Sequence, residues 1–118
     1  MEYLNKLIGN TITDISSGQG TYYPLNEPER SPQIVDHLYI TIEDYSLTIS
    51  NKIIFGKNIE SMNMFLGKTI KEINEANNEI KITTEDDNWF IVDLREEAYV
   101  GPEAMSLHGP ENLLVVWN

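Results

Sequence analysis

The chain has 118 residues, with 8 Lys and Arg against 19 Asp and Glu, so its formal net charge is -11. This length and a hydrophobic content of 41% are sufficient for one core, so we expect a single domain over 1–118 rather than a disordered chain. The excess of acid works against binding nucleic acid or anionic lipid, because both depend on Lys and Arg. A basic macromolecular partner is therefore the first class to consider.

The sequence contains no cysteine, which excludes a disulfide framework, a zinc–thiolate site and a thiol nucleophile. Residues 1–10 lack a basic start followed by an apolar run, and the longest apolar stretch is Leu113–Trp117. We expect neither a signal peptide nor a membrane span. The expected location is the cytoplasm.

An internal repeat is visible when residues 1–15 are aligned with residues 59–73. The positions that are identical in the two segments include Asn5, Gly9, Thr11, Ile12 and Ile15. The alignment predicts a duplication within the domain, with repeat units 1–57 and 58–118.

Each predicted unit begins with a helix, a glycine and a strand. Apolar residues recur at helical spacing before Gly9 and Gly67, which predicts two helices of about two turns that end at these glycines. Asn58 is the expected N-cap of the second helix. After each glycine, residues 11–15 and 69–73 alternate at the period of a strand.

Predicted hairpins complete both units. Their strands are residues 38–42 with 47–49, residues 80–82 with 90–94, and residues 104–108 with 112–117. Asn77 and Asn78 mark a tight turn before the second hairpin, because Asn tolerates positive φ. The predicted fold class is α+β, a mainly antiparallel β-sheet with two short helices.

The first unit carries a long insert, residues 16–36, most of which shows neither a strand nor a helix period. Long loops without structure are usually functional or disordered, so the insert is either a binding loop or a surface excursion. Tyr22 and Tyr23 lie in it. They are candidate anchors for a partner, because Tyr is enriched at interface hot spots, or they pin the loop onto the sheet.

Motifs for catalysis, metals and cofactors are missing from the sequence. His37 and His108 do not have a metal-binding spacing, and there is neither a nucleophile elbow nor a phosphate-binding glycine loop. A calcium-loop frame that starts at Asp86 fails, because Phe90 and Ile91 occupy positions that require an oxygen ligand and a glycine. We expect no enzymatic activity, no metal and no cofactor.

Acidic residues concentrate at predicted turns. Glu43 and Asp44 occupy one hairpin turn, and Glu85, Asp86 and Asp87 occupy the corresponding turn of the second unit. If the turns lie side by side, they form a negative rim that accelerates encounter with a basic partner. Charged turns also keep sheet ends soluble, but solubility requires fewer than eleven excess charges.

The C-terminal stretch 101–117, GPEAMSLHGPENLLVVW, in a small, acidic, cysteine-free chain resembles the immunity proteins of bacterial polymorphic toxin systems, including contact-dependent growth inhibition. The resemblance implies a cytoplasmic inhibitor that binds and neutralises a cognate toxin domain, often a basic nuclease. It assigns no functional residue.

Two other functions remain open from the sequence alone. The protein could be a small-ligand-binding or regulatory domain in which the segment 16–36 closes over a pocket. It could also be a structural module that assembles with itself through an open sheet edge. Its oligomeric state is not predicted.

Overall fold

The computed structural model describes residues 3–22, 33–95 and 103–117. Within these segments the chain forms nine β-strands and two 3-10 helices, the latter at Leu4–Leu7 and Met62–Phe65. The strands are β1 (Ile12–Tyr22), β2 (Gln33–Ile42), β3 (Tyr45–Ile49), β4 (Ile53–Phe55), β5 (Ile70–Ala76), β6 (Glu79–Thr84), β7 (Trp89–Asp93), β8 (Met105–Gly109) and β9 (Leu113–Trp117).

The strands form two antiparallel sheets. The first sheet has the order β1-β2-β3-β8-β9, and the second has the order β4-β7-β6-β5. Alternate residues of both sheets, such as Ile40 and Ile42 of β2 and Ile80 and Ile82 of β6, are buried in one shared core. The prediction of a mainly antiparallel sheet is confirmed, since the described strands pair only in this direction.

The prediction of two α-helices is wrong, because each segment forms a single 3-10 turn. In the first, Leu4 and Leu7 are fully buried whereas Ile8 is 41% exposed. Residues three positions apart lie directly above one another in a 3-10 helix, so one short turn buries both leucines. Apolar residues at this spacing are compatible with both helix types.

The prediction that a glycine follows each short helix in the left-handed conformation is confirmed, with φ of +88° at Gly9 and +82° at Gly67. Asn58 was predicted incorrectly as an N-cap. It adopts a φ of +71° in a turn, and Ser61 occupies the N-cap position without a capping hydrogen bond from its side chain. No helix in the described segments has the length and apolar character needed to cross a membrane.

The predicted hairpins are confirmed. Glu43 and Asp44 form a two-residue turn between β2 and β3. Asn77 and Asn78 join β5 to β6 with positive φ at both residues. The strand β4 was not predicted, because three consecutive apolar residues show no alternation.

The segment 16–36 is not a structureless loop. Residues 16–22 belong to β1 and residues 33–36 to β2, and the two strands pair in continuous register from Ser16–Tyr39 to Tyr22–Gln33. The prediction failed because Ser, Gly, Gln and Thr in β1 provide no apolar alternation. Residues 23–32 lie outside the described segments.

Each half of the chain contributes a strand to the sheet of the other half. β4, from the first half, pairs with β7, and β8, from the second half, pairs with β3. The 3-10 helices are exchanged in the same way, since the first packs on β5 and the second on β1. The repeat units 1–57 and 58–118 and their common origin stay predictions.

Candidate protein-binding surface

The two halves meet at an antiparallel bridge between Thr11 and Thr69. Their Oγ1 atoms are 2.8 Å apart. Four backbone hydrogen bonds flank the bridge: Gly9 N to Ile70 O, Gly67 N to Ile12 O, Ile12 N to Lys68 O and Ile70 N to Asn10 O, all at 2.8–2.9 Å. Each bond has a counterpart with the halves exchanged, so the junction has local twofold symmetry.

Both acidic turns lie beside this bridge. The backbone N–H of Thr11 donates to Glu43 Oε2 at 2.6 Å. On the other side, the N–H of Glu85 donates to the C=O of Thr69 at 2.9 Å. The structure therefore brings the two predicted turns to opposite sides of one junction. Glu43 also has a structural role there, since its carboxylate satisfies a backbone donor.

Asp86 is held tightly within its own turn. It accepts hydrogen bonds from the hydroxyl of Thr84 at 2.5 Å and from the backbone and side-chain amides of Asn88 at 3.3 and 3.1 Å. Its carboxylate lies 3.5 Å from the ammonium of Lys68. The Thr84 hydrogen bond is the largest cause that lowers the pKa of Asp86, followed by the bonds from Asn88 and the charge of Lys68.

Asp87 also has a basic partner within the chain. Its carboxylate accepts from the ammonium of Lys71, and this hydrogen bond raises the pKa of Lys71. By contrast, Asp44 is exposed and its side chain has no hydrogen bond or ion pair with the part of the chain that the structure describes. The two predicted turns therefore differ, because lysines offset much of the charge of the second.

The described charges divide unequally between the two sheets. Six exposed carboxylates lie on the first sheet, in its turns or directly before Ala104. They belong to Asp14, Asp36, Glu43, Asp44, Glu103 and Glu111. The same described residues contain no Lys or Arg. Residues 50–95, which include the second sheet, carry six Lys and Arg against eight Asp and Glu. The first sheet is thus the anionic surface of the described chain.

β1 and β2 extend beyond β3 as a two-stranded arm, residues 18–22 and 33–37. β3 pairs with β2 only from Leu38 to Ile42, so within the described strands the arm has no third strand. Tyr22, a predicted anchor, is the last described residue of β1 and pairs with Gln33. Tyr23 lies outside the described residues.

Side chains fix the base of the arm. A Cβ atom at Gly18 would approach the ring of Tyr39 to 3.0 Å, so the glycine permits close packing. His37 Nδ1 lies 2.8 Å from Ser50 Oγ, and Gln19 donates to Asp36 at 3.0 Å.

Neither histidine is part of a cluster that could hold a metal. His37 lies in β2 and His108 in β8. In residues 3–22, 33–95 and 103–117, no three His, Asp or Glu side chains are close enough to share an ion.

An open cleft of about 300 Å³ lies between β1, β2 and the second 3-10 helix. Its lining residues are Ile15, Ser16, Ser17, Leu38, Met62 and Asn63. Ser16 and Ser17 belong to the segment predicted to close over a pocket. They reach the cleft as strand residues and not as part of a closing loop.

Asp93 is a buried acid whose role was not predicted. Its side chain is 3% exposed and accepts hydrogen bonds from the N–H, Nε and Nη2 groups of Arg95. These bonds lower the pKa of Asp93. Its backbone C=O accepts from the side chain of Asn51 at 2.8 Å. These contacts tie the end of β7 to the segment before β4.

Comparisons with known proteins found no matching protein-family model, no similar curated protein and no similar solved structure. The chain's own surface is therefore the basis for a functional proposal. Its main features are the anionic first sheet, the arm and the open cleft.

Proposed function

We propose that the protein is a non-catalytic inhibitor that binds a basic protein partner through its first sheet. The partner in this proposal is a toxin domain, as in the immunity proteins that the C-terminal stretch resembles. One observation carries it: the described residues of the first sheet and its turns contain exposed carboxylates and no Lys or Arg.

The physical argument is electrostatic complementarity. A nuclease that grips phosphates has a cationic surface, and fixed carboxylates on a sheet attract it and favour its correct orientation. The attraction depends on net local charge. Asp44 and Asp36 therefore contribute more than Asp86 and Asp87, which already lie beside Lys68 and Lys71.

The first experiment is co-expression with the protein domain encoded immediately upstream of this chain's gene. We expect the two proteins to co-purify, and the toxic domain to arrest growth only when this chain is absent. Growth arrest that this chain does not relieve would overturn the inhibitor function.

Association kinetics at low salt test which surface attracts the partner. Asp36→Asn with Asp44→Asn removes two negative charges from the first sheet, and Glu85→Gln with Asp87→Asn removes two from the second turn. We expect the first pair to lower the association rate severalfold more than the second pair. Equal effects would contradict the assignment to the first sheet. Both differences should shrink at high salt, because salt screens exposed charges.

The open cleft supports a second candidate, a domain that binds a small ligand between Ser17, Leu38 and Asn63. A metabolite library screened by thermal shift tests it. A ligand that raises Tm and is lost with Leu38→Trp, which fills the cleft, would favour this function if no upstream-encoded domain binds.

A further inference from the structure

The edges of the two sheets differ in how well they are protected from pairing with another strand. β1 and β5 each have an irregular register near their start, and β5 also carries Lys71, Glu72 and Glu75 on an edge. β4 has three residues only. Bulges, charges and short length all discourage the addition of a further strand.

β9 lacks each of these protections. Its five residues, Leu113–Trp117, include no charge and no proline, and its pairing with β8 is regular. It is the last strand of the first sheet, and no other strand of the described chain pairs with its outer side. An apolar edge of this kind is a template for main-chain hydrogen bonding with another segment.

The outward backbone groups of β9 can be assigned from one hydrogen bond. The C=O of Trp117 accepts from the N–H of Ala104 at 2.7 Å, so it points toward β8. Backbone groups of successive strand residues point to opposite edges, so Leu114 and Val116 present theirs outward. The side chain of Leu114 is 57% exposed, which leaves apolar surface beside these groups.

Acidic residues lie at both ends of this edge. Glu111 is in the turn that precedes β9, and Glu103 directly precedes Ala104, which bonds to the last residue of β9. The described part of the first sheet contains no Lys or Arg. A segment with an apolar centre and Lys or Arg at its ends would therefore match β9 in both hydrophobicity and charge.

We propose that β9 binds an extended, basic segment of the partner as a sixth strand of the first sheet. This inference rests on the proposed function, because it specifies how the basic partner is held. A second copy of this chain fits the edge less well. Pairing β9 with β9 would bring together two surfaces that carry carboxylates and no Lys or Arg in their described residues.

The probe is the synthetic peptide acetyl-KKVTVTVKK-amide, with acetyl-EEVTVTVEE-amide as the control of opposite charge. Amide hydrogen exchange followed by NMR reports the pairing directly. We expect saturating basic peptide to slow exchange at Leu114 and Val116 by at least about tenfold, with little change at amides already bonded to β8. The acidic peptide should not do so.

Two variants locate the binding site. Leu114→Pro removes an outward N–H without breaking the ladder to β8, and it should abolish the peptide-induced protection at Val116. If this variant does not fold, Leu114→Lys carries the test, because a positive charge at the centre of the edge should weaken binding of the basic peptide. Leu66→Lys makes the same change at a residue 50% exposed elsewhere and should leave binding unchanged.

Three results would overturn the proposal: no saturable protection at millimolar peptide, equal protection by the acidic peptide, or a dimer in which the amides of Leu114 and Val116 are already protected. The outcome is separable from the inhibitor function. If a toxin domain still binds the Leu114→Pro variant, the inhibitor function stands and β9 has no role in it. If the peptide binds but no toxin partner is found, the role of β9 stands and the inhibitor function does not.

Discussion

Thr11 and Thr69, which are 58 positions apart in the chain, share a hydrogen bond between their side chains, with 2.8 Å between the Oγ1 atoms. The bridge that contains them connects the two sheets, and both acidic turns contact it. Together with the exchange of β4 and β8, it makes each half depend on the other for its sheet and for its core. We therefore expect the halves to unfold in one cooperative transition.

The threonine pair makes a prediction about coupling. Thr11→Val alone leaves the part-buried hydroxyl of Thr69 without its partner, which should cost about 1 kcal/mol of unfolding free energy. The double variant with Thr69→Val removes both hydroxyls and keeps the shape, so it should be closer to the parent protein than the sum of the single changes. Urea denaturation of the four proteins measures the coupling. Additive effects would show that the hydroxyls do not interact in solution.

Two glycines lie against aromatic rings, Gly56 directly after β4 and Gly109 at the end of β8. A Cβ atom at Gly56 would lie 2.8 Å from the Trp89 ring, and one at Gly109 would lie 2.8 Å from the Tyr45 ring. Gly56→Ala and Gly109→Ala should each destabilise the protein by about 1–3 kcal/mol, because a flat ring cannot yield without moving its strand.

Denaturant unfolding checks this prediction, with Tyr45→Val as the background for Gly109→Ala. The penalty of the glycine substitution should be smaller there, since the side chain that it strikes is shorter. If the penalty is unchanged, the strain arises in the backbone and not from the contact with the Tyr45 ring.

Local patterns in the sequence identified the hairpins, because their strands alternate and their turns contain residues that tolerate positive φ. Asn77 and Asn78 are the clearest case. Gly9 and Gly67 were identified as the ends of the two short helices because glycine also tolerates positive φ. The type of the preceding helix was not, since Leu4 and Leu7 have a spacing that a 3-10 turn and an α-helix share.

Nonlocal features could not be derived in this way. β4 joins the second sheet because β7 offers it a partner, and residues 53–55 show no strand period. Polar residues 16–22 form a strand because β2 pairs with them. At the candidate surface, Glu43 and Asp44 were identified as exposed acids of a turn. Lys68 and Lys71 offset the charges of Asp86 and Asp87. This pairing could not be predicted from local patterns, because it depends on which strand faces that turn.

The arm gives a prediction about local stability. Among the described strands, no third strand pairs with the arm from Gly18–His37 to Tyr22–Gln33, and a two-stranded ribbon is weakly stable alone. Amide exchange in the arm should be faster than at Ile40, which lies in the shared core between β1 and β3. Exchange measured by NMR at neutral pH provides the comparison. Equal protection would mean that another part of the molecule supports the arm.

Asp93 gives a prediction about acid stability. Its pKa is lowered in the folded protein, chiefly by the side chain of Arg95, so the folded state binds fewer protons than the unfolded state as the pH falls. The stabilisation is fully present above the unfolded pKa of about 3.9 and is lost as the pH falls toward the lower folded value. Asp93→Asn should therefore lower stability at neutral pH and flatten its decrease below about pH 4.

Urea midpoints measured from neutral pH to about pH 3 test this expectation. Asp44→Asn is the matched control, because it makes the same chemical change at an exposed turn without a charged partner in the described residues. We expect the acid limb of Asp93→Asn to differ from that of both the parent and the control. If all three proteins lose stability in parallel, the ion pair with Arg95 does not contribute to folding in solution. A flatter limb in Asp93→Asn alone would locate this part of the acid sensitivity at the end of β7.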